Sequence, residues 1–349
     1  MKSSRLQSRN NNYSMYHKIF LWIALLLLGG NLYAQNKSGY YIKWDIDHTD
    51  RQVKPSIPIS AEEAKYINCY YVKFDSQNRC QSVKFYYQGK PGIYSNFGAH
   101  EIVRTYFKNH FTETYKDTQG KSIANNQGVY KVVFSLNQRR FWRKKQFFNH
   151  SNKPIEVRGI AEVHMVRDQQ NRAISEIQLN LKGDTIPDVN GFKQPYFAFT
   201  KEGLALYRQN RNQQGQLVNG AKGYAVVNFL FDENGNFVDE EFRDAQGKLF
   251  ARPNAVYARI NFREFNKYGK PARVYFLDQL GRPLKKWAHG IIEYYADMNR
   301  KSITFYDNQG NKSTNNAGVS TIVYQYNSQG KFMGRIKYDI QGKKMAQPK

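Results

Sequence analysis

A turn signal recurs at a nearly constant interval down this chain: an Asp or Asn followed, three places on, by Gly. The glycines are Gly89, Gly120, Gly183, Gly215, Gly247, Gly281, Gly310 and Gly342, with Asn152 in the slot between Gly120 and Gly183. Three places before each stands Asp117, Asn149, Asn180, Asn212, Asp244, Asp278, Asp307 or Asp339; the first unit alone departs, with Tyr86. A short Asx side chain bonds back to its own backbone and glycine takes the positive-φ exit, which is the chemistry of a type I turn. A steady period of roughly 32 residues specifies a tandem array.

The content of one period identifies the unit as a β-hairpin. Tyr224 to Phe231 is rich in β-branched and aromatic residues and reads as a strand, turned by Asp232-Glu233-Asn234-Gly235 and returned by Phe237 to Arg243. The two turns of a unit lie one strand length apart, as in Gly269 with Gly281 and Gly330 with Gly342. Asn78 and Asn171 take the first-turn glycine slot elsewhere; Asn tolerates the left-handed conformation better than most residues. Tyr70, Val72 and Phe74 alternate onto one face, as do Val83, Phe85 and Tyr87. An isolated hairpin is marginal in water, so neighbouring units must bury a shared apolar stripe, with stability close to a sum over neighbours.

The expected fold is therefore all-β: about nine ~32-residue hairpins in an elongated or spiralled antiparallel sheet over residues 67–344. Residues 35–66 do not repeat. They offer a strand at Tyr40 to Ile46 and a short helix capped by Ser60, and read as an N-terminal cap on the first edge. The unit near residues 196–217 reads as having lost its first turn, preceded by an insertion from Asp184 to Pro195 that bends or interrupts the array. Residues 345–349 form a basic tail.

Residues 1–34 read as a secretory leader. Lys2, Arg5, Arg9 and Lys18 precede the apolar run Ile19 to Leu28, and small residues lead to Ala34. That run falls well short of the ~20 apolar residues that span a bilayer core. The chain is thus expected to be exported, to the periplasm, the outer surface or the medium. It carries 53 Lys and Arg against 28 Asp and Glu. Such an excess attracts anions; outside a cell these are acidic polysaccharide, envelope phosphate, nucleic acid or an acidic protein. Cys69 and Cys80 share the first repeat. An exported chain permits a bridge, but a hairpin turning near Gln77-Asn78 sets Cys69 opposite a residue near Phe85, not opposite Cys80.

Phe231-Asp232-Glu233-Asn234-Gly235-Asn236, Phe242 to Lys248 and Phe305-Tyr306-Asp307-Asn308-Gln309-Gly310-Asn311 resemble the YD-type repeats related to the RHS family. The resemblance spans roughly residues 67 to 344 and is carried by turn chemistry. In RHS proteins such repeats build β-strand shells around a C-terminal toxin. The likeness implies a secreted or surface-facing β-repeat scaffold. No recognisable toxin module stands in this sequence.

Candidate chemistry concentrates in Arg139-Arg140-Phe141-Trp142-Arg143-Lys144-Lys145. Cations interleaved with aromatics suit a polyanion whose sugars or bases stack on the rings. Read as one strand, Arg140, Trp142 and Lys144 share a face and Arg139, Phe141, Arg143 and Lys145 share the other; the bland reading makes Phe141 or Trp142 part of the apolar stripe with the cations covering it. Lys285, Lys286, Trp287 and Arg282 form a weaker cluster. Asp232, Asn234 and Asn236 begin like a calcium loop but lack its glycine and terminal Glu, and Gly215 to Lys222 imitates a P-loop with Ala221 where Lys belongs. No nucleophile elbow or zinc-protease helix occurs. The sequence thus points to a non-catalytic binding module for anionic polymers or surfaces, needing no cofactor or metal; the alternative is a structural or protein-interaction scaffold.

Overall fold

The computed structural model describes residues 37–47, 51–200, 203–251 and 256–346. The expected leader, 1–34, lies outside them. The fold is that of the unit Ser38–Lys349. Its described strands form one antiparallel sheet. It begins with β1 (Gly39–Ile46) and β2 (Val53–Ile59), a hairpin outside the repeat. Nine repeat hairpins follow among the described residues. The first is β3 (Cys69–Phe74) with β4 (Cys80–Tyr87), the third Lys131–Leu136 with Trp142–Phe148, and the ninth Thr321–Tyr326 with Phe332–Tyr338. Pairing is longer inside a hairpin than between hairpins. Six residue pairs join Val226–Phe231 to Phe237–Arg243, but only three join Phe237–Arg243 to Arg259–Phe265. The joints are therefore the weaker places in the ladder.

Where Asx opens a turn, one of its side-chain oxygens closes it. The Asp117 carbonyl accepts the Gly120 N–H at 3.1 Å, while its Oδ1 accepts the N–H groups of Gln119 at 3.0 Å and Lys121 at 2.9 Å. Asp244, Asp307 and Asp339 repeat that double acceptance. The fourth residue exits in the left-handed region, with φ 82° at Gly120. Arg140 (φ 66°) and Met298 (φ 67°) fill the same slot without being glycine. The first unit, where Tyr86 replaces Asx, turns instead on Gln88 and Gly89, both at positive φ. Asp232 behaves as a turn residue as well, its Oδ1 accepting from Asn234 and Asn236.

Links between hairpins add a further turn and drive an apolar side chain under the sheet. Val129, Phe192, Tyr224 and Val319 follow such turns and are buried. Two expectations need correction here. The first turn near 196–217 is present: Pro195–Phe199 pairs with Ala205–Asn210, and Thr200 replaces Asx, its Oγ1 accepting the Leu204 N–H at 3.2 Å. Nor do residues 184–195 interrupt the array; they are an ordinary link built on the Asp188–Gly191 turn, and the sheet continues from Ser175 to Tyr196. The Ser60 helix shrinks to one 3₁₀ turn, Glu63–Lys65, because β3 begins at Cys69; Ser60 and Glu63 do form the reciprocal cap. Cys69 faces Tyr86 and Cys80 faces Phe74; both thiols are free and buried, and burial pushes them up to about 12 and about 11.

The described core is a set of buried clusters, each shared by neighbouring units, as stacking predicts. One cluster breaks that rule. Ile42, Ala64, Ile67 and Cys69 pack with Tyr268 and Met298, from the seventh and eighth hairpins. The tight turns of the later hairpins rest in succession on the N-terminal segment. Lys43 Nζ donates to the Gly235 carbonyl at 3.4 Å, Lys267 pairs with Glu63 at 3.5 Å, and the Asn68 N–H donates to the Asp297 carbonyl at 3.0 Å. The Phe332 N–H donates to Ser95 Oγ at 2.9 Å. A purely nearest-neighbour array is thus corrected to one whose later units also close on its beginning.

Glycines report the seam. A Cβ at Gly330 would lie 2.3 Å from the Tyr87 ring, whereas one at Gly310 meets nothing within 4 Å. Both have positive φ. Gly310→Ala should cost ~1–2 kcal/mol, the left-handed penalty alone. Gly330→Ala should lose a further ~1–3 kcal/mol as the ring is displaced. Urea unfolding of the two variants measures this; equal losses would mean the seam adds no stability.

Candidate functional site

The basic run does not form one strand. Asn137 Oδ1 accepts the N–H groups of Arg139 and Phe141, each at 3.0 Å, so Arg139 and Arg140 sit in a tight turn. The strand starts at Trp142, and its register shifts between Trp142 and Lys144, leaving Arg143 in a bulge. The bulge rearranges the faces expected from simple alternation. Trp142 and Lys145 line the same cavity, while Lys144 pairs with Glu162 at 3.6 Å beside Gln146 and His164. Arg139, Arg140 and Arg143 stay exposed.

Trp142 and Lys145 meet residues from three other hairpins and the N-terminal segment around a cavity of about 300 Å³. Its apolar wall includes Phe134, Met165, Phe197, Phe199 and Phe229. Three cations and one carboxylate line it: Arg51, Lys145, Arg208 and Glu176. Arg208 is neutralised, with Glu176 at 2.6 Å and Asp188 at 3.7 Å. Among the described residues, Arg51 and Lys145 form no close ion pair. The Arg51 guanidinium lies 4.9 Å from the centre of the Phe134 ring, and its buried Nε has no hydrogen-bond partner. Lys145 Nζ lies 5.0 Å from the Phe147 ring centre. Burial, then the Arg51 charge, pull the Lys145 ammonium down to about 8 despite Glu176 and Glu113. Burial likewise lowers Arg51.

A cation without a close ion pair in an aromatic cavity gains from an incoming anion, and Glu176 is the one carboxylate in the described wall that competes for it. The sequence singled out two of these residues, Trp142 and Lys145. It missed Arg51, which sits in the non-repeating segment where no period marks it. The weaker cluster separates too: Trp287 is buried among Phe276 and Phe305, while Arg282 pairs with its turn partner Asp278 at 3.1 Å. That pairing recurs in Arg79–Asp75 and Arg172–Asp168, so an arginine four places after the opening Asp is neutralised by it. The Asn137 turn, with Arg139 and Arg140, contains no such acid. Among the described residues no group of three or more His, Cys, Asp or Glu side chains could hold a metal ion. No helix there is long and apolar enough to cross a membrane.

No family model matches the chain. No curated protein matches it. Solved structures that align with it include a Photorhabdus luminescens Tc holotoxin pore with a mutant TccC3, at 9% identity and a TM-score of 0.25, over 84% of this chain and 18% of that one. The TcdB2-TccC3-Cdc42 complex aligns at 11% identity and a TM-score of 0.23, over 77% and 15%. TcdB2-TccC3 aligns at 10% identity and a TM-score of 0.23, over 83% and 16%. The chain spans less than a fifth of each of these.

Lys145 should titrate near pH 8, and Arg51→Gln should move it upward by removing a neighbouring positive charge. NMR of ¹³C-methylated lysines reads both. An unfolded lysine titrates near ~10.4, so between these values the unfolded chain holds the extra proton. The Lys145 contribution to the unfolding free energy therefore rises with pH from about 8 to ~10.4 and is flat below. A Lys145 midpoint in the wild type at the ordinary lysine value would contradict the cavity's electrostatics.

Proposed function

We propose that the chain is an exported, non-catalytic repeat module that binds anionic polymers or surfaces: glycan, envelope lipid phosphate or nucleic acid. The observation that carries this reading is the pair Arg51 and Lys145, held without carboxylate partners in an aromatic-lined cavity. An anionic group of the polymer enters there and restores Lys145 to full charge. Arg139, Arg140 and Arg143, exposed on and beside a turn without an acid, contact the polymer outside, and Lys144 contributes beside Glu162. The repeat array supplies the rigid frame.

Such binding releases counterions and must weaken steeply with salt. The wild type should be retained on heparin and DNA resins and elute at moderate salt. Arg51→Gln with Lys145→Met should elute earlier, and Arg139→Ala with Arg140→Ala and Arg143→Ala earlier as well. Co-elution of all three forms would remove both the cavity and the turn from the binding surface. A protein-interaction scaffold is the second reading, favoured by Leu181, Val189 and Leu280, which stand exposed in the turns between hairpins. Retention indifferent to salt would favour it.

A further inference from the structure

A second, larger cavity lies at the seam, where the last hairpins meet the first. It holds about 550 Å³, within the range of about 300–1,000 Å³ common for ligand cavities. Among its described lining residues there is no Asp or Glu, but there are Lys270, Arg300 and Arg335. Asp297, in the adjoining turn, accepts instead from the N–H and side chain of Asn299, at 2.9 and 3.4 Å. Burial, then Lys43 and Arg300, lower the Lys270 pKa, so this ammonium faces its own kind. Two polar groups in the wall are buried and unpartnered. Neither the amide oxygen nor the amide nitrogen of Asn68 has a hydrogen bond, and neither has Arg300 Nε.

The rest of the wall is aromatic and held in place. Tyr294 OH donates to the Pro271 carbonyl at 2.9 Å and Tyr326 OH to the Arg300 carbonyl at 3.1 Å, which fixes both rings. Tyr70 meets Tyr94 at 89°, and Phe332 meets Tyr324 at 48° and Tyr326 at 64°. A planar base asks for a slot of parallel ring faces. Rings crossed at these angles make a concave wall that suits a puckered, non-planar ring with C–H faces. An amide with both donor and acceptor open suits a hydroxyl, which is both. Lys270, with no carboxylate in the described wall, suits a carboxylate, and Arg300, whose Nη1 donates to Tyr324 OH at 3.3 Å, keeps its Nε open for one.

We propose that this seam cavity binds a carboxylated sugar, a uronic-acid unit of an acidic oligosaccharide. The pyranose packs against the tyrosine faces, Asn68 bonds a ring hydroxyl, and Lys270 with Arg300 Nε takes the carboxylate. The site shares no lining residue with the Lys145 cavity and stands without it.

Calorimetric titration of the full chain with tetragalacturonate tests this, with cellotetraose and AMP as comparison ligands. The uronate should bind; cellotetraose, which lacks carboxylates, and AMP, which is planar at its base, should bind at least tenfold more weakly. Lys270→Met should weaken uronate binding at least tenfold. It should fold normally, since it deletes a cation repelled by Lys43 and Arg300, and thermal unfolding confirms that. Asn68→Ala should lose a similar factor, because it strips the hydroxyl's partner. Lys270→Met should still elute from the DNA resin with the wild type, which separates this site from the polyanion reading. Absent uronate binding, equal affinity in folded Lys270→Met, or preference for AMP would overturn the assignment.

Discussion

A single side-chain oxygen governs this architecture. At Asp117, Oδ1 holds two backbone N–H groups at once and so fixes where the chain reverses and how the returning strand is registered. Register fixes faces, because one residue of slip would carry every apolar side chain to the wrong side. Repeated at Asp244, Asp307 and Asp339, the same small device aligns successive hairpins so that each can cover its neighbour. Burial by links then converts aligned hairpins into a stable sheet, through Val129, Phe192, Tyr224 and Val319.

That device explains what was legible. Where Asx and glycine coincide, as at Asp244 and Gly247, the turn could be placed from sequence. Where the slot is filled by Arg140, or opened by Thr200, geometry is the same but the letters differ. The basic run was misread for that reason. Arg140 occupies the left-handed exit of a turn, and the bulge at Arg143 then puts Trp142 and Lys145 on one side. Alternation cannot show a bulge. Arg51 was invisible because its role depends on packing against a strand of the third hairpin, Phe134 being its ring partner. Seam contacts such as Phe332 to Ser95, 237 residues apart, leave no local trace at all.

Charge has two fates in this molecule. At turns that open on Asp, an arginine four places on folds back onto the carboxylate, as Arg79, Arg172 and Arg282 do. The exposed pairs at Arg172 and Arg282 add little stability, yet they neutralise cations that would otherwise face solvent. Elsewhere the excess is carried inward: Arg51, Lys145 and Lys270 are set among rings, where burial lowers their affinity for protons.

The N-terminal segment and the flanks of the first hairpin carry an ordered series of rests for the later turns: Lys43 for Gly235, Glu63 for Lys267, Asn68 for Asp297, Ser95 for Phe332. Ordinary tandem arrays gain or lose a copy freely, since every unit sees only equivalent neighbours. Here a duplicated or deleted hairpin would shift each subsequent turn onto a foreign rest. Copy number is thus tied to the start of the sheet, which offers each later turn one matching rest.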